Sequence, residues 1–347
     1  LNFKKLIAII AVVGIVIAGI ITFYVYNKAF TANTTFNQKE VFVYVPSNST
    51  YEQVKEIVSP FVKDMDKFDF VAQKRDYASN VKEGKFLLKK NMTSFDIVRA
   101  MKSNVPVKLA FNNQETLGKL AQRLATQMEP DSTSLMKAFT NPEFMETNGF
   151  DDDTILAMFI PNTYEFYWNT SADKIADKMA SEYKKFWNEE RISKALNKNL
   201  TPIQVSVLAS IVHKETAKID ERPRIAGVYL NRLEQNMPLQ ADPTVIFAMK
   251  KASGDFDQVI KRVYSKDTQG TISPYNTYIN LGLPPGPIAM PDISAIDAVL
   301  NAEKHDYIYF CASVDRMGYH DFASNYAAHQ VNARKYAEWV TKLGINR

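Results

Sequence analysis

The sequence predicts an α+β protein with an N-terminal transmembrane helix, a small α+β subdomain and a larger mixed α+β domain. Three observations lead there. An apolar run opens the chain, short β-rich runs then alternate with amphipathic helical patterns, and a long, mostly helical stretch follows that polar loops interrupt. Of 347 residues, 46% are hydrophobic and 23% charged, the composition of a folded chain rather than a disordered one. The formal net charge is +4, with Lys and Arg scattered, so no nucleic-acid partner is expected.

Residues 1–27 are expected to be a membrane anchor. Lys4 and Lys5 precede an apolar run from Leu6 to Val25 whose one clearly polar residue is Thr22. As a helix it would be roughly 30 Å long, the thickness of a bilayer core. A cleaved signal peptide would have a shorter apolar region and a small-residue cleavage site, for which Ala29-Phe30-Thr31 is a poor match. Tyr24 and Tyr26 fall where interfacial aromatics belong. Lys4, Lys5 and the free amine outweigh Lys28, which predicts a cytoplasmic N-terminus and a single pass through the inner membrane. Everything after about Asn27 would then be extracytoplasmic, in the periplasm.

Residues 28–39 read as a tether, because Thr31 to Gln38 is rich in Thr and Asn. Residues 40–128 repeat a strand–turn–helix pattern. The first unit is Val41 to Val45, a turn at Pro46-Ser47-Asn48, and a helix from Thr50 to Val58 with a capping box from Ser49 and Glu52. The second is Gly84 to Leu88, a turn at Lys89-Lys90-Asn91, and a helix capped by Thr93 with Asp96 at its third position. The third is Val105 to Phe111 followed by a helix carrying Leu117, Leu120, Ala121 and Leu124. Units this small are expected to share one small sheet.

Residues 129–347 form the larger domain. Asp131 to Arg191 looks helical, broken by a turn at Pro161-Asn162 and an aromatic extended segment to Tyr167. Thr201 and Pro202 then start a helix to about Thr216. Val205, Leu208, Val212 and Glu215 share nearly one face, so Glu215 ends an apolar stripe. Partial burial would raise its pKa, which a general acid near neutral pH needs. Spacing alone favours a solvated Glu215 paired with Lys218. Polar loops follow: Gln240, Asp242 and Thr244 on one, Tyr275, Asn276 and Tyr278 on a second, and Pro284-Pro285-Gly286 on a third. The prolines read as shaping a wall, while Asp242 could instead cap the segment starting at Pro243. Tyr307 to Ala312 reads as a buried strand that packs the thiol of Cys311, the chain's one cysteine. One cysteine allows no intrachain disulfide and no four-cysteine zinc site.

The segments Leu208 to Thr216, Gly227 to Leu233 and Met237 to Ile246, with Ser273 to Tyr278 and Gly282 to Ile288, resemble the YceG-like family of endolytic murein transglycosylases. The resemblance implies that Glu215, in Lys214-Glu215-Thr216, is the catalytic acid. It implies cleavage of peptidoglycan glycan strands at the MurNAc–GlcNAc β-1,4 bond without water, leaving 1,6-anhydro-MurNAc ends. It implies no cofactor and no metal. For Gln240, Asp242, Thr244, Tyr275, Asn276 and Tyr278 it suggests substrate contact. Family members often carry Glu where this chain has His213, which is expected to modulate the acid or to be structural. His320 keeps a family position but reads as a hydrogen-bonded structural histidine, and His329 lies in a departure from the pattern. Residues 40–128 resemble a LysM-like subdomain, a glycan-binding module or a plain spacer. A cell-wall synthase is the implied partner.

Two rivals remain. A zinc hydrolase would need more than His213-x-Glu215, and neither Pro-Cys-x-x-Cys nor His-Glu-x-x-His is present. A membrane-anchored, non-enzymatic peptidoglycan-binding scaffold is the second, and the LysM-like region would support it.

Overall fold

A computed structural model describes residues 3–342, which divide into two units. Unit 1 holds residues 3–109, 127–130 and 164–171; unit 2 holds residues 110–126, 131–163 and 172–342.

In unit 1 the apolar run becomes helix α1 (Phe3–Phe30), long and apolar enough to cross a membrane. It continues past the apolar run by about one turn, and Ala29 is buried in the core of unit 1. Strand β1 (Glu40–Val45) leads to α2 (Tyr51–Val58), then to α3 (Met65–Lys74), β2 (Gly84–Lys89) and α4 (Ser94–Ala100). β1 and β2 pair antiparallel from Glu40↔Lys89 to Val45↔Gly84, and bury Val43, Val45, Phe86 and Leu88 on one face. The cap of α2 is Thr50 with Gln53 rather than Ser49 with Glu52. Both pairs have the required spacing, and Ser49 instead closes the turn by donating to the Pro46 carbonyl. Thr93 and Asp96 cap α4 as expected.

Two features differ from the sequence expectation. Strand β3 (Pro106–Ala110) does not join β1 and β2; it pairs with β4 (Thr163–Tyr167) in a separate two-stranded sheet. Its partner comes from distant sequence, which local pattern cannot reveal. The second difference is at Thr31 to Gln38, which is stitched down rather than loose. Asn33 is buried; its amide donates to the Asp64 carbonyl (2.8 Å) and to Ser94 Oγ (2.9 Å), and its Oδ1 accepts from the Asp64 N–H (2.8 Å). Isolated bridges Ala32↔Thr93 and Thr34↔Val62 flank it. Asn and Thr mark flexible linkers by composition, but the same amides and hydroxyls can satisfy a buried backbone.

Unit 2 is mainly helical: α5 (Leu117–Ala125), α6 (Ser132–Phe139), α7 (Pro142–Asn148), α8 (Ala172–Phe186), α9 (Glu189–Leu196), α10 (Pro202–Glu215), α11 (Arg222–Glu234), α12 (Asp242–Ser253), α13 (Ser265–Gly270), α14 (Ile293–Leu300) and α15 (Tyr326–Lys342). Strands β5 (Tyr309–Ala312) and β6 (His320–Ala323) form an antiparallel hairpin.

Helix α10 is the centre of this unit. A capping box from Thr201 and Gln204 starts it, with Pro202 at its first position. Val205 to Val212 are buried without a break, so it is a core helix enclosed on all sides rather than an amphipathic one. Its neighbours include α9, α11, α12 and α14. Ser210, fully buried, accepts the Ile288 N–H at 3.0 Å and fixes the proline-rich loop against it. Truncating Leu208 or Ile211 to Ala here would cost about 2–5 kcal/mol.

Candidate active site

The apolar enclosure of α10 stops at its last turn, and there the chain places a carboxyl. Glu215 Oε1 accepts a 2.6 Å hydrogen bond from the Tyr229 hydroxyl, which α11 presents. Tyr229 is 1% exposed, with its ring edge-on to Phe310 of β5 at 5.9 Å. Burial pushes the Glu215 carboxyl up to about 7 from an ordinary 4.5. The Tyr229 hydrogen bond and the charges of His320 and Arg232 pull against that rise, and Asp242 adds to it. Lys218 is turned elsewhere, over the Tyr319 ring at 5.1 Å, so the sequence alternative of a Glu215–Lys218 surface pair does not form.

Around this acid the charged groups are tied to one another. Glu221, 5% exposed, accepts the His320 N–H at 2.7 Å, lies 2.9 Å from His320 Nδ1, and accepts from Thr216 Oγ1 at 3.2 Å. Burial alone would raise its carboxyl, but the His320 hydrogen bonds outweigh that and hold it below the usual range. Arg222 donates from Nη1 to both Asp292 oxygens (2.7 and 3.0 Å) and to Ser294 Oγ (2.6 Å). His213 Nδ1 lies 3.2 Å from Asp292 Oδ2. His213 therefore faces Asp292, and the histidine whose charge bears on Glu215 is His320. Arg232 ties two loops together, donating to the carbonyls of Leu239 (2.6 Å) and Ile308 (2.7 Å).

The six polar-loop residues divide into two groups. Asp242 and Gln240 are exposed and Tyr278 is half-buried; the Tyr278 hydroxyl donates to Asp242 Oδ1 at 2.5 Å. Gln240 holds a left-handed backbone (φ 48°), a conformation a non-glycine residue adopts at some cost, and its N–H donates to the Thr277 carbonyl at 3.0 Å. Thr244, Tyr275 and Asn276 differ from the expectation of substrate contact, because each is buried and engaged internally. Thr244 Oγ1 donates to the Ala241 carbonyl and lies 2.9 Å from Thr277 Oγ1. Tyr275 packs on Phe247 and donates to Asp153 Oδ1 at 3.0 Å. Asn276 donates to the carbonyls of Thr268 and Thr271. These three hold the loops in shape. Asp242 opens the first turn of α12, with Ala241 at the cap position, and makes no side-chain cap.

Gly286 fits its wall-shaping role: a Cβ there would fall 1.8 Å from the Asp153 carbonyl oxygen. Gly227 does the same for α11, where a Cβ would meet His305 Nε2 at 2.5 Å. A cavity of about 560 Å³ is lined by Glu115, Lys214, Pro243 and Lys250 but by none of Glu215, Tyr229, Asp242 and Tyr278, so it is separate from the acid. Cys311 lies in β5 but is half-buried, less enclosed than its sequence suggested, and burial raises its thiol pKa. His329 stacks on Tyr309 at 5.1 Å, and burial together with the nearby Arg232 charge lowers its pKa.

Tyr229, Glu221 and the Arg222–Asp292 pair were not singled out from sequence. Tyr229 had a usable signal, a polar-tipped aromatic within an otherwise apolar helix face. The Glu221–His320 contact spans distant segments and carries none.

Residues 43–335 match the YceG-like family, and the chain belongs to it. The endolytic murein transglycosylase of Streptococcus pneumoniae D39 is 28% identical over 331 residues, covering 86% of this chain and 59% of the relative. That of Bacillus subtilis strain 168 is 38% identical over 154 residues, 44% of this chain and 40% of the relative. A crystal structure of a YceG-like protein from Listeria monocytogenes aligns with a TM-score of 0.57 at 27% identity, over 85% of this chain and 99% of that one. The chain thus spans 59% of the length of its pneumococcal relative.

Proposed function

We propose that this chain is a membrane-anchored endolytic lytic transglycosylase that cuts peptidoglycan glycan strands. The observation that carries the reading is a single carboxyl, Glu215, raised to about 7 by burial at the end of a core helix and hydrogen-bonded by Tyr229. Two relatives named as endolytic murein transglycosylases support it.

In this reading Glu215 protonates the glycosidic oxygen between MurNAc and GlcNAc. The 6-hydroxyl of the same MurNAc attacks its anomeric carbon and gives its proton back to Glu215, which leaves a 1,6-anhydro end. The nucleophile is already part of the substrate, so it needs orientation more than activation, and one carboxyl can serve as acid and then as base. Asp242, held by Tyr278 and felt electrostatically at Glu215, supplies negative charge toward the positive sugar ring. Gln240 and Tyr278 offer an amide and a ring face to the sugars, while Thr244, Tyr275 and Asn276 act by shaping the loops. Helix α1 spans the inner membrane once, with its N-terminus cytoplasmic and the chain after it in the periplasm. Unit 1 contributes a LysM-like glycan contact, and a cell-wall synthase is the partner.

Mass spectrometry of products from uncrosslinked glycan tests the reaction. Anhydro ends are the expected result. Reducing ends would replace transglycosylation with hydrolysis, and uncut glycan would favour the scaffold.

A further inference from the structure

We propose that the C-terminal end of α3, with the adjoining turn after α4, is a lipid-facing seat that fixes unit 1 on the membrane surface; this rests on reading α1 as a membrane span. Three observations on unit 1 converge.

First, α1 does not release the chain at the membrane boundary. The apolar run ends at Val25, yet Tyr24 already packs edge-on against Phe70 of α3 with ring centroids 5.8 Å apart. Phe30 packs on Phe95 of α4 at 5.4 Å. Tyr24 and Phe30 are separated by about 9 Å along a helix axis. A headgroup layer is only roughly 5–7 Å thick on each side of a bilayer. A side chain touching Tyr24 therefore lies at the hydrocarbon boundary or within the headgroups.

Second, α3 descends toward the membrane. Its Lys67 donates to Thr31 Oγ1 at 3.0 Å, beyond the end of α1, whereas Phe70 reaches Tyr24, nearly two turns back along α1. The direction from Lys67 to Phe70 is thus toward the bilayer, and the residues that follow Phe70 close α3.

Third, those residues are cationic and exposed. Lys74 and Arg75 end α3, and Arg75 lies over the Phe95 ring at 4.9 Å. Lys102, exposed after α4, donates to the Arg75 carbonyl. Two acids lie nearby. Asp69 is engaged by the Tyr51 hydroxyl (2.8 Å) and Gln73 Nε2 (2.7 Å), while Asp76 is exposed. Cations beside aromatics that pack on the end of α1 fit lipid phosphates. The pinned Asn33 removes the slack that would let unit 1 rise away.

The test uses the full chain in vesicles of zwitterionic and anionic phospholipid, with nitroxide labels placed singly at Lys74→Cys, Lys102→Cys and, as a control beyond the end of β1 in the same unit, Ser47→Cys, each on a Cys311→Ala background. All three positions are exposed, so labelling leaves the core intact. The ratio of oxygen to nickel-chelate accessibility is expected to be severalfold higher at 74 and 102 than at 47. Equal ratios at all three sites, in protein that resists carbonate extraction, would overturn the seat while leaving the span standing. Protein released by carbonate would instead overturn the membrane reading itself, and the seat with it.

Discussion

Glu215 and Glu221 lie a few residues apart, one closing α10 and the other at the cap position of α11, and their surroundings drive them in opposite directions. Glu221 is buried and Glu215 is half-buried. Glu215 has one neutral donor, Tyr229, and its carboxyl rises to about 7. Glu221 has the His320 backbone N–H, the His320 ring and Thr216, and its carboxyl falls below the ordinary value. Burial sets the cost of the charge in both; the number of donors decides whether the charge is kept. One glutamate is thereby left ready to give a proton, and the other is locked as an anion that holds the β5–β6 hairpin to α11.

The largest expected effect separates the two roles. Glu215→Gln keeps shape but removes the transferable proton, and should lower strand cleavage by about 10²–10⁴-fold, with an unchanged circular dichroism spectrum. Cleavage at parental rates would assign the acid elsewhere. Removing the partner of the other glutamate should act on stability instead. His320→Ala leaves Glu221 charged in a buried setting and should cost about 3 kcal/mol in urea unfolding; a loss of a few tenths would mean that water replaces the ring.

The pair also predicts opposite pH slopes. The folded protein holds a proton on Glu215 that the unfolded chain releases above about 4.5, so stability should fall as pH rises from there to about 7. The total is on the order of 3 kcal/mol. Glu221 works the other way: its contribution is present above 4.5 and is lost as pH falls below the ordinary value toward its depressed one. Urea titrations of the parent and of Glu215→Gln across pH 4–8 check this, because the variant should lose the slope between 4.5 and 7. The smallest effect is expected from Tyr229→Phe. Losing a hydrogen bond that favours the charged form should move the alkaline limb of the activity profile up by about one pH unit or less. A limb that stays in place would mean Tyr229 orients the acid without tuning it.

Legibility in the sequence followed the range of the interaction. The capping box of α4, the Thr201–Pro202 start of α10 and the strands β1 and β2 all depend on residues within a few positions of one another, and all were readable. The β3–β4 pairing was not, since its strands lie far apart in the chain. Loop polarity misled at Thr244, Tyr275 and Asn276, because a polar side chain that binds its own loop reads the same as one that faces a ligand. The stretch after α1 misled for the same reason, with Asn33 reading as linker and serving as a buried clamp.

By itself the sequence determined the apolar length of α1, the helix that carries Glu215 and the short motifs that flank it, since periodicity and caps are local properties. The tertiary structure decided which carboxyl has its pKa raised, which loop residues face outward and how the chain leaves α1. Those outcomes depend on desolvation and on hydrogen-bond partners drawn from distant segments, and neither is defined until the chain has packed.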